Sequence, residues 1–170
     1  TARDLYEAQG DITMAQLAGA LGIKAPSLYK HFDDKNALLR AINTLTMRQI
    51  TEAMRHATQL SDNPYDQCMA MARAYWDYAT AHPVAYHLAF STSDNASPDP
   101  AVLQAMALPL QAIFARAIGD EKSLIALRGA WALLHGFVSL SLTGRFQREG
   151  DVGEAYQHAF AVYLAGWGMG

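Results

Sequence analysis

The chain has 170 residues, of which 51% are hydrophobic and 17% are charged, and its formal net charge is −3. This length suits one domain or two small ones, and the apolar content is ample for a core. The single cysteine, Cys68, excludes an internal disulfide framework and any cysteine-based metal site. The sequence shows neither a run of eighteen apolar residues nor a charged leader followed by an apolar stretch. We therefore expect a cytoplasmic protein that neither spans a membrane nor is secreted.

The first ten residues predict a helix that ends at Gly10. Leu5 and Tyr6 fall on its apolar side, and glycine commonly follows the last turn of a helix. Because the pattern is helical from Thr1 onward, we expect the start of this helix, with a basic arm before it, to lie outside the sequence.

Residues 13–32 predict two short helices joined by a tight turn. Thr13 and Gln16 have the spacing of a capping box, in which two side chains satisfy free N–H groups at the start of a helix. Leu17 and Leu21 then fall on one face of the first helix. Gly22 follows where the chain reverses, in a backbone conformation of positive φ that glycine adopts without steric cost. This arrangement is typical of the helix-turn-helix, which places its second helix in the major groove of DNA.

The second of these helices carries the polar groups. Pro26 suits its first turn, where the missing N–H would have had no partner. Ile23, Leu28 and Phe32 supply the apolar side that completes a small core. A polar face on an ordinary surface helix is the alternative, but the cap and the turn glycine at fixed offsets argue against it. The side chains that suit phosphate oxygens and base edges are Lys24, Ser27, Tyr29, Lys30 and His31.

Charge is unevenly distributed along the chain. Residues 1–60 hold seven Lys/Arg against six Asp/Glu, a local charge of +1, whereas the remainder holds six against ten, a local charge of −4. Screening limits the reach of an exposed charge to roughly 8–10 Å in physiological salt, so the local charge governs contact with phosphate. We expect a weakly basic DNA reader whose specific binding depends on dimerisation.

Residues 34–59 predict one long helix, because apolar residues recur at spacings of three and four without a breaker. Its first turn lies beside the polar helix, and its far end reaches the next part of the chain, so we interpret it as a mechanical link. Asn63 and Pro64 end this region and open the next helix, with Asn63 as the cap. We place the domain boundary here, which gives residues 1–60 as the DNA-binding domain and 61–170 as a second domain.

The second domain is predicted to be helical. His82-Pro83 breaks its first helix and a short helix follows, whereas residues 91–100 are turn formers that predict a flexible loop. The next helix runs to Ile118, with a kink or a break expected at Pro109. The apolar stripe of the first helix, over 65–80, consists of Met69, Ala72, Trp76 and Ala79.

Two long helices complete the chain, over 120–146 and 151–167. Asp151 and Glu154 have the spacing of a second capping box. Small residues recur in both helices, although each internal glycine costs about 1 kcal/mol relative to alanine. Such residues let another helix approach closely, either within the chain or across a symmetric four-helix interface, and we favour the interface. The small residues are Gly129, Ala132, Gly136 and Thr143, then Ala155, Ala159 and Gly166.

Residues 12–39 resemble the DNA-binding core of the TetR family of bacterial regulators, on the pattern Leu28-Tyr29-x-His31-Phe32-x-x-Lys35-x-x-Leu38-Leu39. The resemblance implies an all-α fold, with an N-terminal helix-turn-helix DNA-binding domain of three helices followed by a larger helical ligand-binding and dimerisation domain. It implies that Tyr29 and His31 touch the sugar-phosphate backbone and that Lys35 clamps a phosphate. Thr13 would add a backbone contact, and the base-reading turn would consist of Lys24, Ala25, Pro26, Ser27 and Lys30. Because Ala25 and Pro26 offer few hydrogen bonds to bases, the operator sequence cannot be read from these residues.

The second domain resembles a subgroup of that family on Trp131, on His135-Gly136-Phe137 and on Gly144-Arg145-Phe146. The resemblance implies a small-molecule pocket. Aromatic residues with polar tips suit a mostly apolar cavity that orients a ligand through a few hydrogen bonds, although core packing is the alternative for each of them. The candidate ligand-binding residues are Met69, Tyr75, Trp76, Tyr78, Tyr86, Met106, Trp131 and His135.

The sequence predicts no catalytic or metal site. His135 has no carboxylate three or four residues away to orient it, and neither a serine elbow nor a phosphate-binding loop is present. His82 and His87 are five residues apart across a proline, which is not a metal-ligand spacing. We expect neither an enzyme nor a bound cofactor.

These observations predict a homodimeric, ligand-responsive transcriptional repressor that binds a palindromic operator in double-stranded DNA. The dimer would form through helices at about 121–146 and 152–168, and a small apolar or aromatic effector would release the DNA through the helix over 34–59. The alternative is a helical small-molecule-binding protein with no operator-specific role.

Overall fold

A computed structural model describes residues 2–90 and 100–170 of the protein. Within these ranges the chain forms α-helices, one 3-10 turn at Thr58–Leu60, and no strand. The all-α class predicted from the sequence is confirmed, and the loop expected at 91–100 lies, but for Pro100, outside the described residues. The helices are α1 (Ala2–Gln9), α2 (Met14–Ala20), α3 (Ala25–Leu28), α4 (Lys35–Ala57), α5 (Pro64–Ala81), α6 (Pro83–Ala89), α7 (Pro100–Ile118), α8 (Asp120–Leu142) and α9 (Val152–Ala165).

The chain divides into two compact units, which are not the two halves of the sequence. The first comprises Thr1–Arg48 with His82–Leu103, and the second comprises Gln49–Ala81 with Gln104–Gly170. Helix α6 therefore groups with the N-terminal helices, and α4 contributes residues to both units. A functional boundary near residue 60 remains a prediction.

The core of the first unit lies among α1, α2, α3 and the start of α4. Leu21 and Ile23 were predicted to join it, but both are exposed. The physical reason is that α2 ends at Ala20, so these two residues sit in the turn around Gly22 and not on the buried face of a helix. The buried members of this core are Tyr6, Ile12, Met14, Leu17, Ala18, Leu28, Leu38 and Ile42.

Helix α6 is fastened to the first unit at both ends. The carboxylate of Glu7 accepts hydrogen bonds from the backbone N–H groups of Val84 (2.9 Å) and Ala85 (2.7 Å). A negative group at this position satisfies free N–H groups of the first turn and complements the helix dipole. At the other end, the side-chain amide of Asn43 donates to the carbonyl oxygen of Leu88 at 3.4 Å. Val84 and Leu88 also pack against the apolar core of the unit.

In the second unit, α5, α8 and α9 pack on one another. Tyr156 on α9 donates its hydroxyl hydrogen bond to the carbonyl oxygen of Ala72 on α5, at 2.7 Å. The predicted stripe of α5 is wrong by one position, because Tyr75 is fully buried while Trp76 is half-buried. Both stripes contain Ala72 and Ala79, so a 3.6-residue period alone does not separate them. The buried residues of α5 are Cys68, Met71, Ala72, Tyr75 and Ala79.

The remaining helix ends show where the sequence prediction held and where it did not. Helix α7 runs through Pro109 without a break. Helix α8 ends at Leu142 and not near residue 146, because Gly144 adopts a φ of 65° and the N–H of Arg145 returns to the carbonyl oxygen of Leu140 at 2.9 Å. Asp151 caps α9 by accepting hydrogen bonds from the backbone N–H groups of Gly153 and Glu154, which is one half of the predicted capping box.

Helices α7 and α8 are long and apolar enough to cross a membrane by length and composition alone. Their best 18-residue windows have mean hydropathies of 1.5 and 1.4, and 28% and 33% of those windows are buried. One or two such helices are weak evidence of a membrane span, because core helices of soluble proteins have the same composition.

Candidate functional site

The start of α2 is fixed by the capping interactions that the sequence predicted. The N–H of Gln16 donates to the hydroxyl oxygen of Thr13 at 3.2 Å, and the N–H of Thr13 donates to the side-chain oxygen of Gln16 at 2.8 Å. After α2 ends, Gly22 adopts a φ of 66° and the N–H of Ile23 returns to the carbonyl oxygen of Ala18 at 3.0 Å. These bonds set the direction in which the chain enters α3.

Helix α3 is shorter than predicted. It spans Ala25–Leu28, with Lys24 as the N-cap residue and Pro26 in its first turn. The predicted continuation to Phe32 is wrong, because the N–H groups of His31 and Phe32 both donate to the carbonyl oxygen of Leu28 at 2.9 Å, which closes the helix in a turn. Leu28 is buried in the core of the first unit and holds α3 against that core.

The structure presents most of the predicted DNA contacts to solvent. Tyr29 exposes 53% of its surface, which is a large exposed fraction for an aromatic side chain. Ala25 and Lys35 are half-buried. The other predicted contact residues are all exposed, namely Thr13, Lys24, Pro26, Ser27, Lys30 and His31. We call the continuous stretch from Lys24 to His31 the reading surface.

Lys35 is paired in this structure. Its ammonium nitrogen lies 2.6 Å from Oδ1 of Asp11, a residue that the sequence analysis did not single out. The hydrogen bond from Lys35, followed by one from the N–H of Ile12, lowers the pKa of the Asp11 carboxyl. A phosphate that binds Lys35 must therefore compete with an ionised carboxylate.

Three of the predicted ligand-binding residues come together in the second unit. The hydroxyl of Tyr75 lies 3.3 Å from Nδ1 of His135, and the rings of Tyr75 and Trp131 have centroids 5.3 Å apart. Burial lowers the pKa of His135, which favours a neutral imidazole near neutral pH. A neutral imidazole and a phenol give this mostly apolar cluster both a hydrogen-bond donor and an acceptor. We call Tyr75, Trp131 and His135 the aromatic cluster.

The other predicted ligand-binding residues have different surroundings. The rings of Trp76 and Tyr156 are tilted by 34° with centroids 4.8 Å apart, and the hydroxyl of Tyr78 donates to Gln49 at 2.9 Å. Tyr86 belongs to α6 in the first unit, where its ring lies against another aromatic side chain. Met106 is buried in α7 and Met69 is half-buried in α5.

Two surface cavities are lined by described residues of the second unit, with volumes of about 510 and 350 Å³. Neither is lined by a predicted ligand-binding residue. In the described ranges, no group of three His, Cys, Asp or Glu side chains is placed to hold a metal ion. Burial raises the pKa of the Cys68 thiol to about 12, so this cysteine is a core residue and not a reactive one.

The fold and the reading surface together define a helix-turn-helix DNA-binding protein. Comparison with known families agrees at both ends of the chain. Residues 1–42 match the family of bacterial regulatory proteins described as the tetR family, and residues 68–163 match the tetracyclin repressor-like C-terminal domain. The chain belongs to the TetR family of transcriptional regulators. Since members of this family are regulators and not enzymes, the prediction of a non-enzymatic role is confirmed.

Individual relatives support this assignment. The chain is 33% identical over 144 residues to the uncharacterised HTH-type transcriptional regulator Rv0681 of Mycobacterium tuberculosis, covering 81% of this chain and 64% of that protein. It is 26% identical to the uncharacterised HTH-type transcriptional regulator YobS of Bacillus subtilis, covering 94% of this chain and 84% of that protein. The crystal structure of the TetR family transcriptional regulator PfmR from Thermus thermophilus has the same fold, with a TM-score of 0.70, 19% identity, and coverage of 96% and 94%.

Proposed function

We propose that the protein is a cytoplasmic, homodimeric repressor that binds a palindromic operator and releases it when a small apolar or aromatic effector binds. The observation that carries this proposal is the reading surface, which is exposed and polar although it is seated on a buried core through Leu28. A fixed backbone under exposed cations and hydroxyls is what contact with a rigid duplex requires.

The reading surface, together with Thr13 and Lys35, divides by chemistry into two kinds of DNA contact. Tyr29, His31 and Lys35, with Thr13 at the cap of α2, offer hydroxyl, imidazole and ammonium groups that suit phosphate oxygens. Lys24, Ser27 and Lys30 are the remaining exposed polar groups, and they would reach base edges in the major groove. The contribution of Ala25 and Pro26 would be apolar contact.

Dimerisation is supported by the outward face of α8 and α9. Ile125 on α8 and Val162 on α9 are exposed by 61% and 58%, although both are large apolar residues. Packing within the chain explains why residue 129 is a glycine, because a Cβ built there would lie 2.5 Å from the Tyr163 hydroxyl oxygen. It does not explain the glycine at position 136, where a Cβ would meet nothing within 4 Å. An exposed apolar face that retains such a helix glycine fits close approach by a second copy, with the interface now bounded by α8 (Asp120–Leu142) and α9 (Val152–Ala165).

The aromatic cluster is the part of the second unit best suited to an effector. It combines two large rings with a phenol and a neutral imidazole, which would orient a planar, mostly apolar molecule through one or two hydrogen bonds. Such a molecule shifts the regulator only by its difference in affinity between the DNA-binding state and the released state.

Two chain segments would carry the signal between the units. The sequence predicted α4, and α4 does contribute residues to both units. The second segment would be the junction of α5 and α6 at Ala81 and His82, since α6 is hydrogen-bonded to Glu7 and Asn43 of the first unit. A displacement of α5 by an effector would pull on α6 and thereby on α1.

The proposal is tested by selecting duplexes from a random library with the 170-residue protein and measuring the affinity of the protein for the enriched duplexes. We expect an enriched sequence with two inverted half-sites about one turn, ~34–36 Å, apart. Immunoprecipitation of protein-bound genomic DNA should recover sites with the same symmetry. A library that gives no enrichment, together with genomic DNA at background, would instead support a small-molecule-binding protein with no operator.

A further inference from the structure

The larger of the two surface cavities, of about 510 Å³, lies where α8 passes into α9. Both of its edges are set by backbone geometry. On one side the positive φ of Gly144 turns the chain and directs Arg145. On the other side Gly150, with a φ of 134°, leads into the Asp151 cap of α9. A segment held at both ends keeps its shape better than a free loop of the same length.

The floor of this cavity is aromatic and tied to the interior. Phe137 on α8 and Phe146 in the connecting segment have ring centroids 5.4 Å apart. Phe137 in turn meets the fully buried Tyr156 edge-on at 5.9 Å, and the ring of Tyr156 lies 4.8 Å from that of Trp76, tilted by 34°. A planar ring placed on the floor would therefore continue a rigid row of aromatic side chains.

Two uncommitted guanidinium groups line this cavity. Within the described residues, neither Arg145 nor Arg148 forms an ion pair or a side-chain hydrogen bond. Oδ1 of Asp151 is already occupied by the N–H groups of Gly153 (2.8 Å) and Glu154 (3.1 Å). The lining therefore carries two guanidinium groups and two carboxylates, those of Glu149 and Asp151, and its formal net charge is zero. Because the amides of α9 already hold Asp151, the two guanidinium groups are left to bind an incoming anion.

We propose that this cavity binds an aromatic monocarboxylate, with its ring on Phe137 and Phe146 and its carboxylate held by Arg145 and Arg148. The guanidinium group is planar and presents paired N–H donors that match a carboxylate. The volume falls within the range of small-molecule sites. This site shares no residue with the aromatic cluster of Tyr75, Trp131 and His135, so it is independent of the proposed effector site.

The test titrates the 170-residue protein with 2-naphthoate and follows backbone amide shifts by NMR, with affinity from calorimetry. We expect saturable shifts concentrated in residues 145–155. Replacing both arginines, by Arg145→Gln and Arg148→Gln together, should weaken binding about tenfold or more, because a charge-assisted hydrogen bond is lost at each. The neutral alcohol with the same ring, 2-naphthalenemethanol, should bind the unaltered protein about tenfold more weakly for the same reason.

Matched controls separate this site from general adhesion. Arg73→Gln removes an exposed arginine on α5 that does not line the cavity, and it should leave naphthoate affinity unchanged. Phe146→Ala should weaken the acid and the alcohol alike, because it removes part of the shared floor. Undiminished binding to the double arginine variant, equal affinity for acid and alcohol, shifts confined to residues outside 137–155, or no binding at all would each overturn the proposal.

Discussion

The two regions to which we assign function, the reading surface and the aromatic cluster, are built in opposite ways. The reading surface occupies eight consecutive residues, is exposed, and owes its shape to a helix cap, a turn glycine and one buried leucine within a few residues of it. The aromatic cluster is half-buried to buried and joins residues on α5 and α8 that are sixty positions apart in the chain. The proposed DNA-contact surface is fixed by local chemistry, whereas the proposed effector site depends on how two long helices pack.

The largest effect should come from breaking the proposed dimer, because two half-sites are bound together only by a dimer. Val162→Arg places a charge on the exposed apolar face of α9. We expect the dimer to dissociate and operator affinity to fall about 100-fold, because each monomer then holds one half-site. Sedimentation velocity and a gel-shift titration measure the two effects. Leu60→Arg, at a residue 85% exposed and away from this face, is the matched control and should change neither.

The two glycines of α8 distinguish packing within the chain from packing between copies. Gly129→Ala would press a methyl group against Tyr163, which donates to the carbonyl oxygen of Ala126 at 2.6 Å, and should destabilise the fold by about 1–3 kcal/mol. Gly136→Ala has open space around it, so the monomer should be as stable or up to ~1 kcal/mol more stable. The same change should weaken the dimer. Denaturant titration and dimer dissociation measured on both variants test this, and a Gly136→Ala dimer of full strength would remove that glycine from the interface.

The reading surface itself is probed by Tyr29→Ala. We expect operator affinity to fall about 10-fold, by ~1–2 kcal/mol, because a phosphate hydrogen bond and the contact of an exposed ring are lost. The dimer should be unaffected. Tyr29→Phe keeps the ring, so the affinity that this variant loses measures the contribution of the hydroxyl group. Unchanged affinity in both variants would place Tyr29 outside the interface.

His135 of the aromatic cluster should contribute to the pH dependence of the free energy of unfolding. Because burial lowers the pKa of His135 in the folded state, the unfolded chain binds more protons, and stability present above pH ~6.5 is lost as the pH falls toward the folded-state pKa. The midpoint of thermal unfolding between pH 7.5 and 5.5 should therefore fall less in His135→Asn than in the unaltered protein. His87→Asn, at an exposed position on α6, is the control, and equal slopes for all three proteins would contradict the expectation.

The smallest expected effect is a gain in operator affinity. Asp11→Asn removes the carboxylate that competes with phosphate for Lys35. Operator affinity should rise about two- to threefold, and the salt dependence of binding should steepen, since one more cation is free to displace counterions. The same substitution made together with Lys35→Gln should show no gain, and a gain that persists there would assign the effect to net charge.

The contrast also explains what the sequence predicted and what it did not. The all-α class, the capping box at Thr13 and the positive φ at Gly22 followed from residues that are neighbours in the chain. The burial of Tyr75 in place of Trp76 did not follow, because the two rings differ by one position on a helix whose partners are remote in sequence. The Glu7 carboxylate that holds α6 was missed for the same reason, since its partners lie more than seventy residues away.

Helix lengths show a further limit. The end of α8 was placed four residues too late because the residues that follow Leu142 are compatible with a helix, and only the positive φ of Gly144 ends it. Exposure was misjudged at Leu21 and Ile23, where apolar character did not mean burial. In each of these cases an apolar pattern was a weaker guide than a residue with a specific backbone requirement.

Hydroxyl-radical footprinting of a selected duplex bound to the unaltered protein addresses the central point most directly. If the residues from Lys24 to Lys35 act as a paired surface, two equivalent protected patches should appear, separated by about 10–10.5 base pairs, and Val162→Arg should lose protection of both in parallel at concentrations that saturate the dimer. A single unpaired patch, or protection that survives intact when Tyr29 and Lys35 are both replaced by alanine, would contradict it.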